Sequence, residues 1–222
     1  MTVSIAGLEG RSTGPAVDRV PVPDRPSRAD ALRRHLSASE LAVHRLADDL
    51  ATVESWADRL QERLRSGAML LVAGNGGSAA QASHLAAEFV GRYDGDRRAY
   101  SAISLAVDPA TVTALANDYG IGALFARQVE AHGRRGDVLV TLSTSGQSPD
   151  LLAAVERAKA LDVRVWAMTG PAPNPLFLAA DEAIAVDTPR TCVVQEMHLI
   201  LLHLLCEAFD RERSPATRAA GA

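Results

Sequence analysis

An α/β fold is predicted for this chain: a three-layer sandwich with a central, mostly parallel sheet, preceded by an added N-terminal helix. Three observations predict it. Short apolar runs alternate with helix-forming segments from Met69 onward, an order that suits parallel strands joined by crossover helices. Two of those runs end in Gly- or Ser-rich turns that open helices, and a long stretch rich in Ala, Leu, Arg and Glu precedes them all.

Residues 1–26 mix Gly, Pro, Ser and isolated charges without periodicity and carry four prolines from Pro15 to Pro26, so a disordered tail is expected. Residues 27–66 place apolar side chains at Leu32, Leu36, Leu41, Val43, Leu46, Leu50 and Val53, the spacing of one long helix or two. Ser37 with Glu40 has the form of a capping box that starts a second helix, and Gly67 is a stop before the first strand. Such a helix is suited to packing on a partner subunit. The sandwich is expected over 67–213, and 214–222 as a flexible tail.

The first strand, Met69 to Ala73, runs into Gly74-Asn75-Gly76-Gly77, three glycines in four positions, and an Ala-rich helix leaves it. Without Cβ atoms the turn lets backbone N–H groups approach a ligand, and the helix start adds free donors and a positive dipole end, so an anion is the expected guest. Ala99 to Val107 reads as a strand, Pro109 to Ala116 as a helical turn and Phe125 to His132 as a helix. Asp137 to Leu142 is a compact strand followed by Ser143-Thr144-Ser145-Gly146-Gln147-Ser148. Ser148 is placed as N-cap, Pro149 at the first helical position and Asp150 in the first turn of a helix through Leu161. Val163 to Thr169 is a strand, Gly170 to Pro175 a loop, Ala183 to Asp187 a short strand and Cys192 to Arg211 a closing helix. Both turns follow strands and precede helices, so both open at the carboxyl edge of the sheet, where open α/β folds bind ligands.

Bulk properties narrow the function. Of 222 residues 47% are hydrophobic and 4% aromatic, enough for one well-buried domain with a core of Ala, Leu and Val. A net charge of −4 gives no broad basic field, which disfavours nucleic acid. Cys192 and Cys206 are too few to staple the chain and read as reduced thiols. No uninterrupted apolar run reaches the roughly 18 residues of a membrane span, and no secretory leader is apparent, so a soluble cytoplasmic protein is expected. The glycine turn also fits a loose dinucleotide pattern, but the acidic residue such a site needs roughly 20 residues on is missing: the nearest strand-end acid, Asp108, lies more than thirty residues beyond Gly74.

His84 and Glu88 sit one helical turn apart on one face. On the closing helix Gln195, His198 and His203 interrupt an apolar sequence, and polar groups on a buried helix need partners. Gln195 and His198 are a single turn apart, whereas Gln195 and His203 are about 12 Å apart along the axis. Spacing therefore favours His198 and leaves both histidines open. Cys206 reads as a small hydrophobe more readily than as a soft ligand.

Gly74-Asn-Gly-Gly-Ser-Ala-Ala, Ser83-His-Leu-Ala-Ala-Glu-Phe-Val-Gly-Arg92, Ala114-Leu-Ala-Asn-Asp-Tyr-Gly120, Phe125-Ala-Arg-Gln-Val-Glu130, Leu142-Ser-Thr-Ser-Gly-Gln-Ser-Pro149, Thr188-Pro-Arg, and Gln195-Glu-Met-His with His203 together resemble sedoheptulose-7-phosphate (phosphoheptose) isomerases of the sugar isomerase (SIS) superfamily. The resemblance spans about residues 35 to 212, and Gln147 stands where the family usually has Asn. It implies a flavodoxin-like or Rossmann-like SIS domain and a sugar phosphate held by Asn75, Gly76, Gly77, Glu88, Asn117, Asp118, Ser143, Thr144, Ser145, Ser148 and Gln195. It further implies one zinc per subunit on His84, Glu88, Gln195 and His203, with His198 left to packing, and a homotetramer with sites near subunit interfaces. The implied reaction converts D-sedoheptulose 7-phosphate to D-glycero-D-manno-heptose 7-phosphate through an enediol, with Glu88 and His203 as catalytic groups. Isomerisation of another sugar phosphate in specialised metabolism and a non-catalytic SIS-domain regulator are the alternatives. A regulator has no need to keep His84, Glu88, Gln195 and His203 together.

Overall fold

The computed structural model describes residues 27–211; the expected tails at 1–26 and 214–222 lie outside them. Helix α1 (Arg28–Arg45) is capped by Ser27, whose Oγ accepts from the Asp30 amide at 3.1 Å. It runs unbroken past Ser37, so the capping box there does not start a second helix. With the cap already at Ser27, the amides near Ser37 are inside a formed helix and need none. The interruption comes later, as one 3-10 turn at Leu46–Asp49 before α2 (Leu50–Arg65). Gly67 follows at φ +96, as a helix stop requires.

Five parallel strands follow: β1 (Leu70–Gly74), β2 (Ala102–Ser104), β3 (Val138–Ser143), β4 (Arg164–Thr169) and β5 (Glu182–Ala185), ordered β2-β1-β3-β4-β5. In β1 and β3 every residue is buried, which is why their sequences are continuous apolar runs rather than alternating ones. β2 is three residues long where nine were expected, because it is an edge strand with one neighbour. Beyond the Leu105 amide's bond to the Val72 carbonyl, the chain turns toward Asp108, whose carboxylate caps α4 (Pro109–Tyr119) through the Ala110 and Thr111 amides. The Thr111 hydroxyl, which also donates to Asp108, and then those two amides hold the Asp108 carboxyl below its ordinary pKa.

Helices α3 (Gly77–Val90), α5 (Leu124–His132), α6 (Pro149–Ala160), α7 (Pro175–Ala179) and α8 (Thr191–Asp210) complete the layers. One face of the sheet carries α1, α2, α3 and α8, packed on Leu70, Val72, Val140, Trp166 and Met168. The other carries α4, α5, α6 and α7, packed on Leu71, Ala73, Leu139, Val165 and Ala167. The short helix α7 falls at the end of what reads as a loop; Asn174 caps it by accepting from the Phe177 amide at 2.9 Å. The 20 residues of α8 do meet the length and composition of a membrane span, contrary to the expectation that no run does. Isolated polar residues break the run without lowering its mean hydropathy enough, and the helix packs on α2, α3 and the sheet as core.

Trp56 of α2 stacks on Trp166 of β4, with ring centroids 4.9 Å apart and planes 6° from parallel. Above them Glu182 accepts from Trp56 Nε1 at 3.2 Å and forms a paired salt bridge with Arg59, whose guanidinium holds the Glu182 carboxyl below its ordinary pKa. The N-terminal helices are thereby fixed to β4 and β5. Trp166→Ala is expected to lower unfolding free energy by about 3–5 kcal/mol in denaturant titration.

Candidate active site

The two turns leave neighbouring strands. β1 pairs with β3 in register Gly74 to Leu142, so the glycine turn and the serine loop emerge side by side at the carboxyl edge. A Cβ on Gly74 would stand 2.7 Å from the Ser78 carbonyl oxygen, and Gly76 caps α3 at φ +55, a backbone position that disfavours other residues. Asn75 Nδ2 donates to Asp150 Oδ2 at 2.8 Å, tying the glycine turn to the first turn of α6. Asp150 is buried, and this tie was not foreseen from sequence; an amide and a carboxylate in corresponding turns of adjacent units were the available signal.

In the serine loop Ser143 Oγ accepts from the Gly146 amide at 3.0 Å and lies 3.4 Å from Ser148 Oγ. Ser145 Oγ accepts from the Gln147 amide at 3.3 Å. Ser148 occupies the N-cap position of α6 but its hydroxyl makes no capping bond, against expectation. The Leu151 amide, at the third helical position, donates to Asp150 Oδ1 at 3.0 Å, and the Ser148 hydroxyl faces Ser143 instead. Gly146 has φ +63 and the Asn174 side chain fills the space a Cβ would take, so α7 backs the loop. Thr144 is half-buried, its carbonyl oxygen against Gly170. Asn117 and Asp118 lie on the exposed end of α4, where Asn117 Nδ2 donates to Asp118 Oδ1 at 2.8 Å; among the described residues no hydrogen bond links them to either turn.

Because α3 and α8 pack on one face of the sheet, His84, Glu88 and His203 converge. His84 Nε2 lies 3.2 Å from Glu88 Oε1 and 3.1 Å from His203 Nε2. The His84 and Glu88 side chains retain 43% and 21% of their exposure, leaving the cluster open on one side. The Tyr93 ring stands 5.7 Å from that of His203, and desolvation, then the negative charge of Glu207, raises the Tyr93 phenol above its ordinary pKa. Gln195 is placed elsewhere: its carboxamide occupies the space a Cβ on Gly77 would take, and its main-chain carbonyl oxygen accepts from Gln81 Nε2 at 2.7 Å. Gln195 therefore meets the glycine turn, two turns of α3 before His84 and about 10 Å along the axis. Gln81, a buried residue whose Oε1 lacks a partner, was missed from sequence, since a polar residue in an Ala-rich helix gives no sign of what it holds. Among the described residues no three His, Cys, Asp or Glu side chains close into a preformed metal cage.

The two histidines of α8 separate cleanly. His198 is fully buried and its Nε2–H donates to the Thr169 carbonyl oxygen at 3.2 Å, while Nδ1 has no partner. Burial pushes its pKa down to about 4. Cys206 is buried and its thiol is pushed up to about 12 by desolvation, as a core hydrophobe.

A model of the SIS domain matches residues 36–170. The phosphoheptose isomerase of Streptomyces coelicolor is 52% identical over 190 residues, covering 84% of this chain and 82% of the relative. The chain belongs to the phosphoheptose isomerase family. That of Helicobacter pylori is 44% identical over 152 residues, covering 68% of this chain and 79% of its own. Among solved structures, the phosphoheptose isomerase of Neisseria gonorrhoeae has a TM-score of 0.77 at 34% identity, covering 83% of this chain and 99% of that one. The enzyme of Francisella tularensis has a TM-score of 0.79 at 31% identity, covering 84% and 100%. The span of the domain model covers both turns, and with them His84 and Glu88.

Two outcomes are expected. Since His198 binds its proton near pH 4 when folded and near pH 6.5 when unfolded, the unfolded chain holds more protons between those values. Unfolding free energy should fall as pH is lowered from 6.5 to 4, and His198→Leu should flatten that slope in denaturant melts. Gly74→Ala, whose methyl meets main chain, should cost about 1–3 kcal/mol by the same measurement.

Proposed function

We propose that the chain is an aldose-ketose isomerase that converts D-sedoheptulose 7-phosphate to D-glycero-D-manno-heptose 7-phosphate. The observation that carries this is the convergence of a carboxylate and two imidazoles from α3 and α8, on the helix that the glycine turn opens beside the hydroxyl-rich loop. Family membership at 52% identity supports the same substrate. The phosphate is held by Ser143, Thr144, Ser145 and Ser148, where hydroxyls, backbone amides and the start of α6 offer donors to an anion. Asn75, Gly76, Gly77 and Gln195 hold the sugar, with Asn117 and Asp118 reaching it from the end of α4.

Isomerisation moves one proton from C1 to C2 and another between the two oxygens. Glu88 takes the C1 proton, giving a cis-enediol, and returns it to C2. His203 carries the proton between O1 and O2, or assists ring opening. His84 touches both groups and orients them.

His84, Glu88 and His203 are the residues that would hold a zinc ion, with Gln195 the fourth that the resemblance implies; in this structure its side chain lies at the glycine turn instead. The fit rests on the chemistry of the donor set: two imidazole nitrogens 3.1 Å apart and a carboxylate oxygen 3.2 Å from one of them are the nitrogen and oxygen donors that zinc takes. A zinc ion held there would supply Lewis-acid polarisation of the C2 carbonyl. A carboxylate held tightly by a metal is a weaker base, so Glu88 serves both roles only if it ligates loosely.

We place the working enzyme in the cytoplasm as a homotetramer, one zinc per subunit. The two free thiols suit a reducing compartment. Leu32, Leu36 and Leu41 remain exposed on α1, an apolar surface suited to a second copy.

Incubation with sedoheptulose 7-phosphate, followed by NMR, should show an aldoheptose 7-phosphate. Glu88→Gln is expected to lower turnover at least about 100-fold; full turnover in that variant would remove the proposed base. Dialysis against a chelator should lower the rate and added zinc restore it.

A further inference from the structure

Where α8 begins, against α1, five side chains outside the isomerase cluster form a chain of polar contacts. Glu196 Oε1 accepts from His35 Nε2 at 2.7 Å, and Glu196 Oε2 accepts from Ser39 Oγ at 2.8 Å. With Nε2 donating, the lone pair of His35 lies on Nδ1. That nitrogen accepts from Arg190 Nη2 at 3.3 Å and lies 3.6 Å from Cys192 Sγ. The order carboxylate, imidazole, thiol is that of a base-activated cysteine. Cys192 is also exposed, whereas Cys206 is buried.

We propose that Cys192 is a redox modification site that hydroperoxides oxidise to the sulfenic acid, with His35 as its general base and acid. The reactive form of a cysteine is the thiolate. Arg190 turns its N–H from His35 Nδ1 toward sulfur, Nδ1 takes the Sγ proton, and the guanidinium and the amide end of α8 offset the charge left on sulfur. The thiolate attacks one peroxide oxygen and the O–O bond breaks. The departing alkoxide or hydroxide takes the proton back from His35 Nδ1. Cys192 becomes Cys–SOH, losing two electrons; the hydroperoxide becomes an alcohol, or water from hydrogen peroxide, gaining them; His35 returns neutral. Glu196 fixes the tautomer, and Ser39 fixes Glu196. A single metal ion does not suit this cluster, because Glu196 and Cys192 meet opposite nitrogens of the His35 ring.

The test uses the full reduced chain, hydrogen peroxide and dimedone at pH 7, with the adduct located by peptide mass spectrometry and no sugar phosphate present. Its outcome is thus independent of the isomerase reading. Cys192 is expected to form the adduct at least about tenfold faster than N-acetylcysteine under the same conditions, and Cys206 to stay unlabelled while folded. His35→Gln should slow labelling about tenfold and Ser39→Ala about twofold, with circular dichroism confirming the fold. Labelling of Cys192 no faster than N-acetylcysteine overturns the proposal, a comparison that needs no variant. An unchanged rate in folded His35→Gln overturns it as well.

Discussion

The pairing of β1 with β3 is the constraint on which the site depends. In the order β2-β1-β3-β4-β5 the chain leaves β1 toward one edge and returns on its other side, so the carboxyl ends of β1 and β3 flank the point where strand order reverses. Loops diverge there and open a crevice. The register Gly74 to Leu142 brings a glycine turn and a hydroxyl loop to that crevice at one height, and the Asn75–Asp150 hydrogen bond holds them together. A slip of one residue along β3 would turn its side chains to the opposite faces of the sheet. Asp137 opposes that slip, since its buried carboxylate accepts from the Met69 amide before β1 and the Arg134 amide before β3, both at 2.7 Å.

The reacting groups are placed by a different device. α3 follows the glycine turn onto the face already covered by α1, α2 and α8, while α6 follows the serine loop onto the other. The phosphate loop thus opens at the carboxyl edge, while the acid-base cluster begins about 10 Å along α3 from that edge, in the layer of α1, α2 and α8. On α8 the apolar stripe faces the sheet with His198 inside it, satisfied by a strand carbonyl, and His203 lies toward α3. Two histidines five residues apart on one helix thereby receive different environments, one dry and neutral, the other wet and paired.

That difference marks what was readable in the residues beforehand. The alternation of buried strands and helices, the two turns and the pairing of His84 with Glu88 follow from local period and composition, and the structure shows them. Spacing along α8 favoured His198 beside Gln195, and the structure instead sets His203 against His84, because the choice depends on how α8 is rotated against α3. Rotation is a property of packing. The Asn75–Asp150 tie, the Gln81 hold on Gln195 and the Asn174 support of Gly146 were invisible for a related reason: each joins residues distant in sequence, and each residue alone reads as an ordinary turn or helix polar group. Ser148 failed as a cap because Asp150 took the Leu151 amide and the Ser148 hydroxyl turned to Ser143.

A crystal structure of the Glu88→Gln protein with sedoheptulose 7-phosphate tests the central claim most directly. The account predicts the phosphate on Ser143, Thr144, Ser145 and Ser148, with C1 and C2 beside residue 88 and His203. A sugar bound with its phosphate at the glycine turn, or with C1 and C2 remote from residue 88, would contradict it.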